Sequence, residues 1–263
     1  MPDIAVAGRK LNYVWQGSGA RTLVFLHEGL GSIAQWRDFP ERVALATGCR
    51  ALLYDRYGYG QSDVLAEERV DLDFMLREAL VALPALLVAL GVENPVLVGH
   101  SDGASIALIH AGAGHAVQGV VAIAPHVFVE DISVRSIAGA VRTFETTDLP
   151  QRLAKYHRDS RKTFYLWSDA WLDPAFRNWN IEASLAGIRC PLLAIQGEED
   201  QYGTMAQVDA IARQAGGRCE LLKLPDCGHA PHKDQPERVL RTIAEFVDWL
   251  DRRERRGDAD AGT

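Results

Sequence analysis

The chain has 263 residues, with 28 Lys and Arg against 35 Asp and Glu, a net charge of −7, and 48% hydrophobic residues. This is a globular composition, long enough for one large α/β domain with a sizeable core or for two small domains. The acidic balance argues against nucleic acid or an anionic membrane as a partner, and no apolar run reaches membrane-spanning length.

Residues 4–16 alternate weakly around Gly8 and predict a β-hairpin with Tyr13 and Trp15 on its later strand. Thr22 to Leu26 is a short apolar run, read as a buried strand, and it ends in the loop His27-Glu28-Gly29-Leu30-Gly31-Ser32. Helical spacing follows over Trp36 to Ala46, then a strand over Arg50 to Tyr54 and the loop Asp55-Arg56-Tyr57-Gly58-Tyr59-Gly60-Gln61-Ser62. A long helix is predicted from Leu72 to Leu90, with Gly91 as its C-cap. Strands are predicted at Pro95–Val98, Gly119–Ala124, Ile188–Gln196 and Cys219–Leu224, and helices after Gly103, over Met205–Ala215 and over Gln235–Leu250. Alternating strands and helices give a mostly parallel sheet covered on both faces, whose ligands bind beyond the carboxyl ends of the strands.

Residues 126–187 interrupt that alternation with short helical segments. The expected division is a core of residues 1–125 and 188–251, an inserted helical lid at 126–187 and a frayed tail at 252–263. The insert holds nine of the 21 aromatic residues, which suits both an apolar acyl pocket and packing of the insert on the core. The cluster Arg152, Lys155, Arg158, Arg161 and Lys162 reads as a solvated helix face, with contact to an acidic substrate or a phosphate-bearing carrier such as CoA as the alternative.

The pentapeptide Gly99-His100-Ser101-Asp102-Gly103 lies between a strand and a helix. Glycines two before and two after Ser101 relieve the crowding of a tight turn, and the serine hydroxyl is presented at the end of the sheet. The amide of Asp102 then sits at a helix N-terminus, where it can hold a developing oxyanion. A serine nucleophile needs a base and a group that orients the base. His229, behind Gly228 and after the last strand, is the candidate base, with His232 as runner-up. Asp200, after the strand ending at Gln196, is the candidate acid; Glu198 and Glu199 are substitutes and Asp131 a remoter choice. The order Ser101, Asp200, His229 is that of a nucleophile-elbow hydrolase. The second oxyanion donor is placed at the amide of Gly29.

With the His27–Ser32 loop, Asp55-Arg56-x-Gly58-x-Gly60-x-Ser62, the elbow, Gly197-x-x-Asp200 and Gly228-His229, the chain resembles the α/β-hydrolase family, small serine esterase type, over its whole length. The resemblance implies acyl transfer in two steps with water as second acceptor, and a helical lid. Glu28 departs from the His-Gly pair usual in similar proteins; its carboxylate is expected to point away from the oxyanion and bond locally. Similar dehalogenases and epoxide hydrolases carry aspartate where Ser101 stands, which disfavours their chemistry.

The expected function is cleavage of a carboxylic ester on a small-molecule acyl substrate. A thioesterase or carbon–carbon hydrolase using the same triad is the alternative, and a ligand-binding protein on the same fold is the remoter one. No P-loop, dinucleotide or H-E-x-x-H motif is present, so no cofactor and no metal are expected. The N-terminal residues lack the basic and apolar regions of a signal peptide, and the four cysteines are scattered without a C-x-x-C pair, so a cytoplasmic location is expected.

Overall fold

In the computed structural model, residues 2–69 and 71–261 are described, with side chains described as far as residue 255. Strands β1 (Asp3–Val6) and β2 (Arg9–Gly17) form the hairpin, and β3 (Thr22–Leu26) follows. A 3₁₀ turn, Ile33–Trp36, ends at Arg37 with φ +55°, so the predicted helix starts later, as α1 (Phe39–Thr47), and β4 (Arg50–Tyr54) comes next. Helices α2 (Phe74–Arg77) and α3 (Leu83–Ala89) are joined by a π turn, Glu78–Ala82. Pro84 has no amide hydrogen to give its preceding turn, and the wider turn sits where that bond is missing.

Strand β5 (Val96–His100), α4 (Asp102–Gly112) and β6 (Gly119–Ile123) build the elbow. The insert contains α5 (Asp131–Thr146), α6 (Leu149–Leu153), α7 (Ser160–Leu172), a 3₁₀ turn (Pro174–Asn178) and α8 (Glu182–Leu185). Strand β7 (Leu192–Gly197), α9 (Ala206–Gln214), β8 (Cys219–Leu224), α10 (Pro231–Asp234) and α11 (Pro236–Ala261) complete the chain. The strand predicted from Ile188 begins only after Pro191, which lacks a ladder donor.

The eight strands form one sheet in the order β1-β2-β4-β3-β5-β6-β7-β8; β1 and β2 are antiparallel and the rest parallel. Period-2 alternation divides the core in two. Leu23, Phe25, Val96, Val98, Val121 and Ile123 face α1 and α11, whereas Val24, Leu26, Leu97, Val120 and Ala122 face α4 and the elements around it.

The insert is bolted to the core loops. The Thr163 hydroxyl donates to the Gly58 carbonyl, the Gly60 amide to His157 Nδ1, and the hydroxyls of Ser133 and Ser136 to the carbonyls of Tyr202 and Gln201. Most of its aromatics pack on one another. Phe144 stacks on Phe164 at 3.8 Å, and Phe176 on Trp179 at 5.4 Å.

The tail departs from expectation. The backbone of residues 252–261 continues as α11, and the last two residues lie outside the described set. Arg21, with a side chain only 9% exposed, reaches Asp251 at 2.6 Å and Glu254 at 2.7 Å. Arg252 pairs with Asp248 one turn back. Replacing Arg21 with Ala is expected to cost about 1 kcal/mol. It should also speed amide exchange at residues 250–255 relative to β5, and unchanged exchange there would refute this anchoring role.

Candidate active site

Ser101 has φ +53° and ψ −120°, a conformation L-residues rarely hold. Its amide donates to the Ile123 carbonyl at 2.9 Å, and its carbonyl accepts from the amides of Ala104 (2.9 Å) and Ser105 (3.0 Å). A Cβ on Gly99 would lie 2.3 Å from the Gly103 carbonyl oxygen, and one on Gly103 would lie 2.1 Å from that of Leu26. Both glycines are steric requirements of the turn.

His229 follows β8 by a short loop that turns at Asp226 with φ +51°. Its Nε2 stands 2.9 Å from Ser101 Oγ, and its Nδ1 stands 2.9 and 2.8 Å from the two carboxylate oxygens of Asp200. With the Nδ1–H facing the carboxylate, Nε2 is left to accept the serine proton. Asp200 also accepts from the amides of Tyr202 (2.7 Å) and Gly203 (3.2 Å) and from Gln196 Nε2 (2.7 Å). Burial alone would raise its pKa; the bond and charge of His229 and the Tyr202 amide outweigh burial and hold it below the usual carboxylate range. The expected serine, acid and base are thus brought together.

The other candidates lie apart. Glu198 and Glu199 are exposed, and Asp131 pairs with Arg177 at 2.6 Å on the surface. His232 packs on Trp36 at 4.8 Å and on Phe39 at 5.5 Å, separated from the serine by His100. Burial keeps its imidazole neutral, far below the ordinary pKa.

Gly29 and Asp102 both line the cavity at Ser101, and their amides donate to no acceptor among the described residues. A Cβ on Gly29 would lie 2.2 Å from Trp167 Nε1, so only glycine fits beneath that indole. Glu28 does not turn away from the site: it borders the cavity, and its neighbours His100 and Lys233 come from distant parts of the chain. Its carboxylate lies 3.4 Å from His100 Nδ1 and 3.4 Å from Lys233 Nζ. Burial would raise its pKa, but His100 first and then Lys233 hold it well below the usual range. His100 Nε2–H in turn donates to the His229 carbonyl at 2.7 Å. The bonds from His100 to the His229 carbonyl and from Lys233 to the Glu28 carboxylate therefore tie the elbow and the oxyanion loop to the chain around the imidazole. The Asp55-to-Ser62 stretch is structural: Asp55 accepts from the amides of Ile33 and Gln61, and the Ser62 hydroxyl bonds the Asp55 carbonyl.

The cavity measures about 130 Å³ and is walled by Leu30, Ile137, Trp167 and Trp171. His126, which the sequence reading did not single out, lies on this cavity, and its place just after β6 was the available signal. A larger space, about 690 Å³, lies between the first hairpin and the 74–82 helix, away from Ser101.

Asp102 is 1% exposed, and burial pushes its pKa up to about 6, against the pull of Arg56 and of the Trp171 indole. A carboxyl raised in the folded state makes folding less favourable as pH climbs from its unfolded pKa, near 4, through the folded value. Above that window the cost approaches roughly 3 kcal/mol. Asp102→Asn cannot ionise. Its stability relative to wild type is expected to improve by about 1–2 kcal/mol between pH 5 and pH 8, measured by urea unfolding. A gap that does not change with pH would contradict this.

Residues 23–242 match the sequence model of the alpha/beta hydrolase family. The chain is 25% identical over 270 residues to 2-hydroxy-6-oxononadienedioate/2-hydroxy-6-oxononatrienedioate hydrolase 2 of Pseudomonas putida, covering 90% of this chain and 91% of that protein. It is 26% identical over 227 residues to 3-oxoadipate enol-lactonase 1 of Acinetobacter baylyi, covering 79% of this chain and 82% of that one. In structure it resembles the enol-lactonase from Burkholderia xenovorans LB400, with a TM-score of 0.73 at 20% identity over 94% of this chain and all of that one. This last likeness bears on the fold alone. Fold and family match agree, and the chain belongs to the alpha/beta hydrolase family.

Proposed function

We propose that this hydrolase cleaves a carboxylic ester of a small molecule through an acyl-enzyme on Ser101. The observation that carries the reading is the single line of contacts from Ser101 Oγ through His229 to Asp200, facing two unengaged amides. In the first step His229 Nε2 takes the Ser101 proton as Oγ bonds to the carbonyl carbon. The Gly29 and Asp102 amides hold the oxyanion, worth about 3–4 kcal/mol per donor in comparable sites. His229 then protonates the leaving alkoxide and later activates water to release the acid, while Asp200 stabilises the imidazolium without taking its proton.

Carbon–carbon bond hydrolysis on the same residues is the second reading, favoured by the likeness to the Pseudomonas putida hydrolase. The enol-lactonase relative favours the ester. Thioesters remain within reach of the same machinery, because leaving-group choice lives in the pocket. The base, acid and oxyanion donors around one serine speak for turnover over ligand binding alone.

In this reading residues 126–187 serve as a lid: α5 and α7 carry Ile137, Trp167 and Trp171 over the serine. No described helix is long and apolar enough to cross a membrane. The four cysteines are free, which favours a reducing, cytoplasmic compartment for this enzyme.

Ester and thioester turnover by wild type and variants tests the scheme. Ser101→Ala is expected to lose about 10⁴-fold or more in kcat, and Asp200→Asn about 10³–10⁴-fold. Gly29→Ala should lower kcat by about 10²-fold or more. Equal rates for wild type and Ser101→Ala would overturn the assignment, and cleavage of vinylogous diketone carbon–carbon bonds far above esters would select the second reading.

A further inference from the structure

Buried polar atoms almost always find a partner, so those that do not point to what the site receives. Three such groups meet at the small cavity beside Ser101. The Nδ1 of His126, a side chain 3% exposed, makes no hydrogen bond among the described residues. Asp102 Oδ2 and Trp171 Nε1, each on side chains only 1% exposed, face one another and complete no hydrogen bond to any other described group. The groups are neighbours: the Trp171 and His126 rings lie 5.0 Å apart, the Asp102 carboxyl stands against the Trp171 indole, and His126 is 5.7 Å from the His229 ring. They therefore converge within one small molecule's reach of the reacting serine.

The charges around the cavity narrow the chemistry further. Neither Lys nor Arg lines it, while the acidic residues Glu28 and Asp102 do. Arg56 spends its Nη2 on the Glu28 carbonyl at 2.8 Å, and Lys233 faces the Glu28 carboxylate. Burial lowers the His126 pKa to about 3, so its imidazole offers a donor and an acceptor but no positive charge. The indole N–H adds a donor. A carboxylate would meet two acidic residues and no lining cation, and a plain alkyl group would leave His126 without a partner and add nothing to the Asp102–Trp171 contact. At about 130 Å³ the space is also well below the size of pockets for drug-sized ligands.

From this we infer that the substrate is compact and bears an uncharged hydroxyl or oxo group one or two atoms from the carbonyl that is attacked, held by Trp171, His126 and Asp102. The inference rests on the hydrolase reading and names the substrate class of its site.

The test uses four methyl esters of similar size: 3-hydroxybutanoate, acetoacetate, 3-methylbutanoate and the half-ester of succinate. Rates are followed by pH-stat for wild type, Trp171→Phe and His126→Phe. The hydroxy or oxo ester is expected to exceed the 3-methyl isostere at least 10-fold in kcat/KM, with the half-ester slower than both. In the variants that ratio should fall towards one; two separate replacements guard against one failing to fold. A ratio near one in wild type, a ratio unchanged in both variants, or a preferred half-ester would overturn the inference. If wild type cleaves none of the four, the ester reading fails, and binding of the same esters to Ser101→Ala, followed by ligand-observed NMR, decides the pocket's preference separately. Stronger binding of the hydroxy or oxo compound then supports the inference, and equal or weaker binding rejects it.

Discussion

The turn at Ser101 is the constraint on which the rest depends. A serine at φ +53° carries a backbone cost of order 1–3 kcal/mol and persists only where its surroundings over-determine it. Here β6 takes its amide, the first turn of α4 takes its carbonyl, and β3 approaches so closely that no side chain fits at Gly103. The conformation that results aims Oγ at His229 and leaves the next amide at a helix N-terminus with no acceptor among the described residues. Loosening the sheet at β3, β5 or β6 would therefore disturb nucleophile and oxyanion site together.

Charge is used around this turn in two ways. Lys233 reaches the Glu28 carboxylate beside Gly29 and His100 reaches the His229 carbonyl, so the oxyanion loop and the imidazole loop are held from the same side of the site. Asp102 and Arg56 form the other group. Arg56 lies buried under the site, stacked on Tyr59 at 4.4 Å, and offsets part of the cost of the buried Asp102 carboxyl. A carboxyl kept 1% exposed, with only the Trp171 indole against it, trades stability for a polar group held at the reacting centre.

The strands and the triad could be read from the sequence because local rules fix them. Apolar runs as short as Thr22–Leu26 have one stable use in a parallel sheet, and the elbow glycines announce their own steric demand. Other features depend on distant partners. The helical extension past Arg252 needs Arg21, some 230 positions earlier in the chain. The support given by His100 needs the His229 carbonyl, and His126 gains meaning only when α7 brings Trp171 over it. The insert's aromatics illustrate the same limit. Their number suggested both packing and a pocket, but spacing alone does not separate Trp167 and Trp171, which wall the cavity, from Phe144 and Phe176, which pack the insert.

The claim that Ser101 is an activated nucleophile is tested most directly by covalent capture. A fluorophosphonate mixed with the wild-type protein should add one phosphonyl group, mapped by mass spectrometry to Ser101, and His229→Ala should slow the reaction at least about 10²-fold. Labelling at another residue, or equal labelling rates in the folded wild type and the His229 variant, would contradict the account.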